Sequence, residues 1–63
     1  MEVYIVEVIP EGGFGRVSQE GYRTLKQAQA FIESRSDNPQ KLTEYLYRSN
    51  DYTDYLIYIV TIV

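Results

Sequence analysis

Residues 55–62 read YLIYIVTI, and this run constrains the fold more than any other stretch of the chain. β-Branched and aromatic side chains suit a pleated, half-buried strand. Successive side chains of a strand point to opposite faces. Tyr55, Ile57 and Ile59 fall in one row, and Leu56, Tyr58, Val60 and Ile62 in the other, so both rows are apolar. A strand that is apolar on both faces reads as a central strand. Residues 3–9 (VYIVEVI) carry a similar pattern, with Tyr4, Val6 and Val8 opposing Val3, Ile5 and Ile9. Pro10 ends that strand, and residues 11–15 (EGGFG) read as a glycine-rich turn. Residues 16–18 are expected to form a short returning strand.

A different period governs residues 24–35. Leu25, Ala28 and Ile32, with Phe31 and Arg35, recur at spacings of three and four, and Lys26, Gln27, Gln29 and Glu33 lie between them. This spacing predicts an amphipathic helix. Thr24 is placed to cap it, because its hydroxyl can accept from an orphan amide of the first turn. Residues 36–39 (SDNP) stop the helix, and the residue before proline disfavours helical geometry, which puts Asn38 in a turn or extended. Residues 41–48 (KLTEYLYR) read as one further strand, paired as a hairpin with residues 55–62 across the turn-rich residues 49–53.

The 63 residues therefore make a single domain, 1–63, of α+β class and β-α-β-β order. The expected sheet is antiparallel, with three strands, or four if the short extra one forms, and one helix packed on one face. The last strand should lie between the first and second. One helix of this length covers one face of such a sheet, yet both faces are apolar. A second copy of the chain is the simplest cover for the other face, so a homo-oligomer is expected, with a dimer the simplest case. The alternative is that strand ends and the loop around Phe14 fold back over it.

Several chemistries are excluded or disfavoured by composition. The chain has no cysteine and no histidine, which removes disulfides, thiolate metal sites, the commonest metal ligand and the commonest general base. The glycines of residues 11–15 lack the following lysine and hydroxyl residue of a phosphate-binding loop, and the helix starts too late. Asp51 and Asp54 lack calcium-loop spacing. The chain is accordingly read as not an enzyme, with no catalytic residue, cofactor or metal. Its net charge of −3 gives no basic footprint, so no direct nucleic-acid binding is expected. No apolar run approaches the roughly 20 residues of a membrane-spanning helix. A cytoplasmic protein with no membrane contact is the expectation.

Seven tyrosines in so short a chain are unusual, and five of them crowd the second half of the chain. Tyr45, Tyr47, Tyr52 and Tyr55 stand among Glu44, Asp51 and Asp54. Tyrosine supplies large contact area at low entropic cost and is enriched in interface hot spots. These seven residues form the expected partner-binding surface, for a protein partner whose identity the sequence does not give. Alternation puts Tyr45 and Tyr47 in one row and Leu42 and Leu46 in the other. The expectation is that the leucines face the helix and the tyrosines face away.

Residues 22–32 (YRTLKQAQAFI), following a strand and a glycine turn, resemble a pattern of small accessory proteins encoded by phages and prophages. The shared features are a strand, a Thr-Leu-x-x-Ala helix start and a closing hairpin, over about half the chain. A similar strand-and-helix pattern occurs in HicB-like antitoxin domains, but their strand sequences and DNA-binding extension are not found here. The phage resemblance implies an accessory protein that binds and inhibits or modulates a host or defence protein. A small acidic protein-binding module is thus the expected function, and a purely structural homo-oligomeric module is the alternative.

Overall fold

A computed structural model describes residues 1–17, 21–35 and 37–63. The elements run β1 (Glu2–Ile9), β2 (Arg16–Val17), α1 (Leu25–Arg35), β3 (Gln40–Thr43), β4 (Leu46–Arg48) and β5 (Asp54–Thr61). They form one helix on one antiparallel sheet, whose strand order is β2-β1-β5-β4-β3. As expected from its two apolar rows, β5 lies in the middle, between β1 and β4. The short returning strand is present as Arg16–Val17; Ser18, the third residue of that expectation, lies outside the described residues.

The main correction concerns residues 41–48. They are not one strand but a hairpin of two, β3 and β4, with a turn at Glu44 and Tyr45. The register shifts between Lys41 and Thr43, which marks a bulge. No glycine or proline announces this turn. It is held by the Thr43 hydroxyl, which accepts from the Tyr45 amide at 3.1 Å, and by the helix, whose Gln29 Nε2 donates to the Glu44 carbonyl at 3.0 Å.

The β1–β2 turn is a backbone device. The Gly13 amide donates to the Pro10 carbonyl at 3.1 Å, and Gly12 takes φ +69°. A positive φ at the third turn residue is the type II requirement, which glycine meets without strain. Helix α1 begins at its expected cap: the Thr24 hydroxyl accepts from the Gln27 amide at 3.2 Å, and Gln27 Oε1 accepts from the Arg23 amide at 3.0 Å. Beyond the helix, Asn38 occupies the left-handed region at φ 47° and Pro39 follows, so the chain turns there rather than extends.

The core is small. Val6, Ala28, Ile32, Tyr47, Tyr55 and Ile57 are buried, and Tyr4, Val8, Tyr22, Leu25 and Phe31 pack around them. Cross-strand pairs fix the two faces. Val6 is opposite Ile57, Val8 opposite Tyr55 and Tyr47 opposite Tyr55, so these residues share the face that α1 covers. Phe31 stacks on Tyr22 with ring centroids 5.5 Å apart, and the Arg35 guanidinium sits 5.2 Å from the Phe31 ring centre.

Candidate functional site

The seven residues expected to bind a partner do not form one surface. Tyr47 and Tyr55 are 2% and 8% exposed and belong to the core, so they are unavailable as surface anchors. Tyr47 of β4 faces the helix and Leu46 faces away, the reverse of the expectation, while Tyr45 lies in the turn before β4. The physical reason lies in Tyr47 itself. Its ring fills the space under α1 and its hydroxyl donates to Glu33 Oε2 at 3.1 Å, a reach leucine lacks. Burial, with the Glu33 carboxylate adding to it, pushes the Tyr47 hydroxyl above its ordinary pKa.

The acids of the β4–β5 turn are engaged within the chain. Asp51 Oδ1 accepts from the Ser49 hydroxyl and from the Thr53 amide, the latter at 3.1 Å. These hydrogen bonds hold its carboxyl below the usual aspartate range. The Ser49 and Thr53 backbones close the same turn, and Tyr52 takes φ 64° within it. Asp54 makes a bidentate pair with Arg48, at 2.8 and 3.3 Å, and that bond lowers its pKa. Glu44, Tyr45 and Tyr52 remain at the surface, Tyr52 being 65% exposed.

The larger apolar surface lies on the sheet face away from α1. Pairing puts Val3 beside Val60, Ile5 beside Tyr58, and Leu56 between Glu7 and Leu46. Among the described residues no helix or strand lies on this face. Phe14 itself does not fold back over it, being 94% exposed, although Gly15 of the same loop lies against Glu7. The face is polar in two places, where the Tyr58 hydroxyl bonds the Glu7 carboxylate and where Arg48 pairs with Asp54. The bond to Glu7 raises the Tyr58 pKa. Leu46, Leu56 and Tyr58 were not among the expected site residues, although two apolar rows in one strand are the signal that finds them.

Among the described residues no helix covers either face of the second half of β5. The helix and β4 shelter Tyr55 and Ile57, whereas Tyr58, Ile59, Val60 and Ile62 are 43–50% exposed. Ile57 and Ile59 share the helix-side row, so neither faces away from α1; α1 simply does not reach Ile59. An open concavity of about 670 Å³ beside the helix is lined by Gly21, Tyr22, Gln27, Ala30, Phe31 and Ser34. Among the described residues no helix is long and apolar enough to cross a membrane. Compared with protein-family models, curated proteins and solved structures, the chain gives no match in any of the three.

Proposed function

We propose that this chain is a protein-binding module, not an enzyme, and that the sheet face turned away from α1 is its docking surface. The observation that carries the reading is the pair of apolar rows in β1 and β5, of which α1 covers only part of one. Surface area supports it. A monomeric protein of this mass exposes about 4,200 Å², and this chain exposes 4641 Å². The partner has the chemistry of a folded protein surface that is apolar at its centre, with polar groups to meet Glu7 and Arg48 at the fringe. The acidic balance disfavours nucleic acid as that partner. The phage resemblance suggests a cytoplasmic accessory role in which the partner is a host or defence protein that is inhibited or modulated. Tyr45 and Glu44, in one turn, and Tyr52, in another, are then not the anchor.

The test uses the purified chain and a dye specific for exposed apolar surface, anilinonaphthalene sulfonate. The folded chain is expected to bind the dye, and Leu56→Glu, at the centre of the face, to abolish binding while leaving the circular dichroism unchanged. A folded chain that binds no dye in dilute solution, where any oligomer has dissociated, would overturn the reading. A second reading, a structural homo-oligomer, draws on the same excess of surface. In that case dye binding falls, and the melting temperature rises, as protein concentration increases.

A further inference from the structure

The backbone edge of β5 is a second surface, independent of the face just described. On one side β5 pairs with β1 along its whole length, from Asp54 to Thr61. On the other side β4 pairs only with Asp54, Tyr55 and Leu56, and the last bond on that side runs from the Ile57 amide to the Tyr45 carbonyl at 2.8 Å. The Ile62 amide, by contrast, points to β1, donating to the Met1 carbonyl at 2.7 Å. Backbone groups alternate in direction along a strand. Ile59 and Thr61 therefore turn their N–H and C=O groups the way Ile57 does, away from β1. No described strand pairs with them there.

Natural sheets protect such edges with charges, prolines, bulges or very short strands. The other edges of this sheet show those devices. β3 carries Lys41, a bulge between Lys41 and Thr43, and Pro39 just before it. The outer side of β1 is met by β2 and by Tyr22, which exchanges two backbone bonds with Tyr4 at 2.8 and 2.9 Å. The overhang of β5 has none of them. Residues 55–63 carry no charged side chain, and residues 58–63 (YIVTIV) are β-branched or aromatic throughout.

We infer that this overhang pairs edge to edge, antiparallel, with the same segment of a second copy of the chain. The occupant is argued from the strand itself. An uncharged strand with two apolar rows continues best into another of the same kind, because each row then meets an apolar row across the ladder. A two-fold axis beside Thr61 sets residues 59–63 of one chain against residues 63–59 of the other. This closes the free groups of Ile59 and Thr61 on both chains. Residues 59–63 of the incoming segment are thereby clear of the β3–β4 turn, whose Tyr45 occupies the place opposite Ile57. Two five-stranded sheets become one.

Proline scanning tests this by sedimentation equilibrium. Thr61→Pro removes only an outward N–H, so the β1–β5 ladder and the circular dichroism should survive. The wild-type chain is expected to dimerise, and Thr61→Pro to weaken the dimer at least tenfold. Leu56→Glu, on the face rather than the edge, is expected to leave the dimer within about threefold of wild type. A wild-type chain that stays monomeric would overturn the inference. So would a dimer that Thr61→Pro leaves intact, or one that Leu56→Glu alone dissolves, which would move the contact to the face. If Thr61→Pro loses its fold, Thr61→Lys replaces it; the charge is placed beside the incoming strand, leaves the backbone intact and is expected to dissolve the dimer.

Discussion

The two halves of β5 share strand-forming side chains but have opposite surroundings. Asp54 to Ile57 runs between β1 and β4 beneath the helix, and Tyr55 and Ile57 are buried. Tyr58 to Thr61 has β1 on one side only, and every residue is exposed. The difference teaches that hydrophobic patterning specifies which residues need cover, whereas the length and position of neighbouring elements decide which receive it. Helix α1 has 11 residues, or about 16 Å of rise, and β5 has 8, or about 27 Å. A helix that short cannot shelter such a strand from end to end.

Ile57 and Ile59 give the sharpest test of this contrast, being the same residue type, in the same strand, in the same row. Ile57→Ala is expected to cost about 2–5 kcal/mol, the range for truncating a buried isoleucine. That is most of the roughly 3–5 kcal/mol a core of this size supplies, so the variant should be largely unfolded. Ile59→Ala, already 45% exposed, is expected to cost below about 1 kcal/mol in dilute solution. Urea melts of the two variants check this, and equal losses would contradict the contrast.

Smaller effects belong to β4 and to the start of the helix. Tyr47→Phe keeps the ring and removes the bond to Glu33, so a loss of about 1 kcal/mol is expected. Thr24→Ala should cost about 1 kcal/mol through the lost helix cap, and Thr24→Ser should restore it.

The pH dependence is expected to be gentler still. Asp51 and Asp54 have depressed carboxyl pKa values, so their contribution is present above the ordinary aspartate pKa of about 4 and is lost as pH falls through their folded values. Tyr47, Tyr55 and Tyr58 are raised, so theirs is present below about pH 10 and is lost as pH rises through the folded values. Melting temperature should thus be level near neutrality and fall at both extremes. Asp51→Asn should flatten the acid limb, and an unchanged limb would exclude the Ser49–Asp51–Thr53 turn as its source.

Much of this arrangement was legible in the residues. The 3.6-residue period gave α1 and its cap, and the two apolar rows gave β5 its central place. The β3–β4 turn was not legible, because a threonine hydroxyl and a helix glutamine make it, where glycine or proline would have announced it. The facing of Tyr47 was missed for a related reason. Alternation says that Tyr47 and Leu46 point oppositely but not which one meets the helix, and only the position of Glu33 across the core decides it. The expected site suffered accordingly: its tyrosines went partly inward, and its two aspartates were taken up by Ser49, Thr53 and Arg48.

The uncovered half of β5 as a pairing edge is tested most directly by hydrogen exchange of single backbone amides at several protein concentrations. Val60 and Ile62 turn their amides toward β1, and Ile59 and Thr61 turn theirs outward. Exchange at Ile59 and Thr61 is expected to be fast in dilute solution and to slow by tenfold or more as the protein is concentrated. Val60 should stay comparatively protected throughout. Fast exchange at Ile59 and Thr61 at every concentration would contradict the pairing of this edge with a second copy.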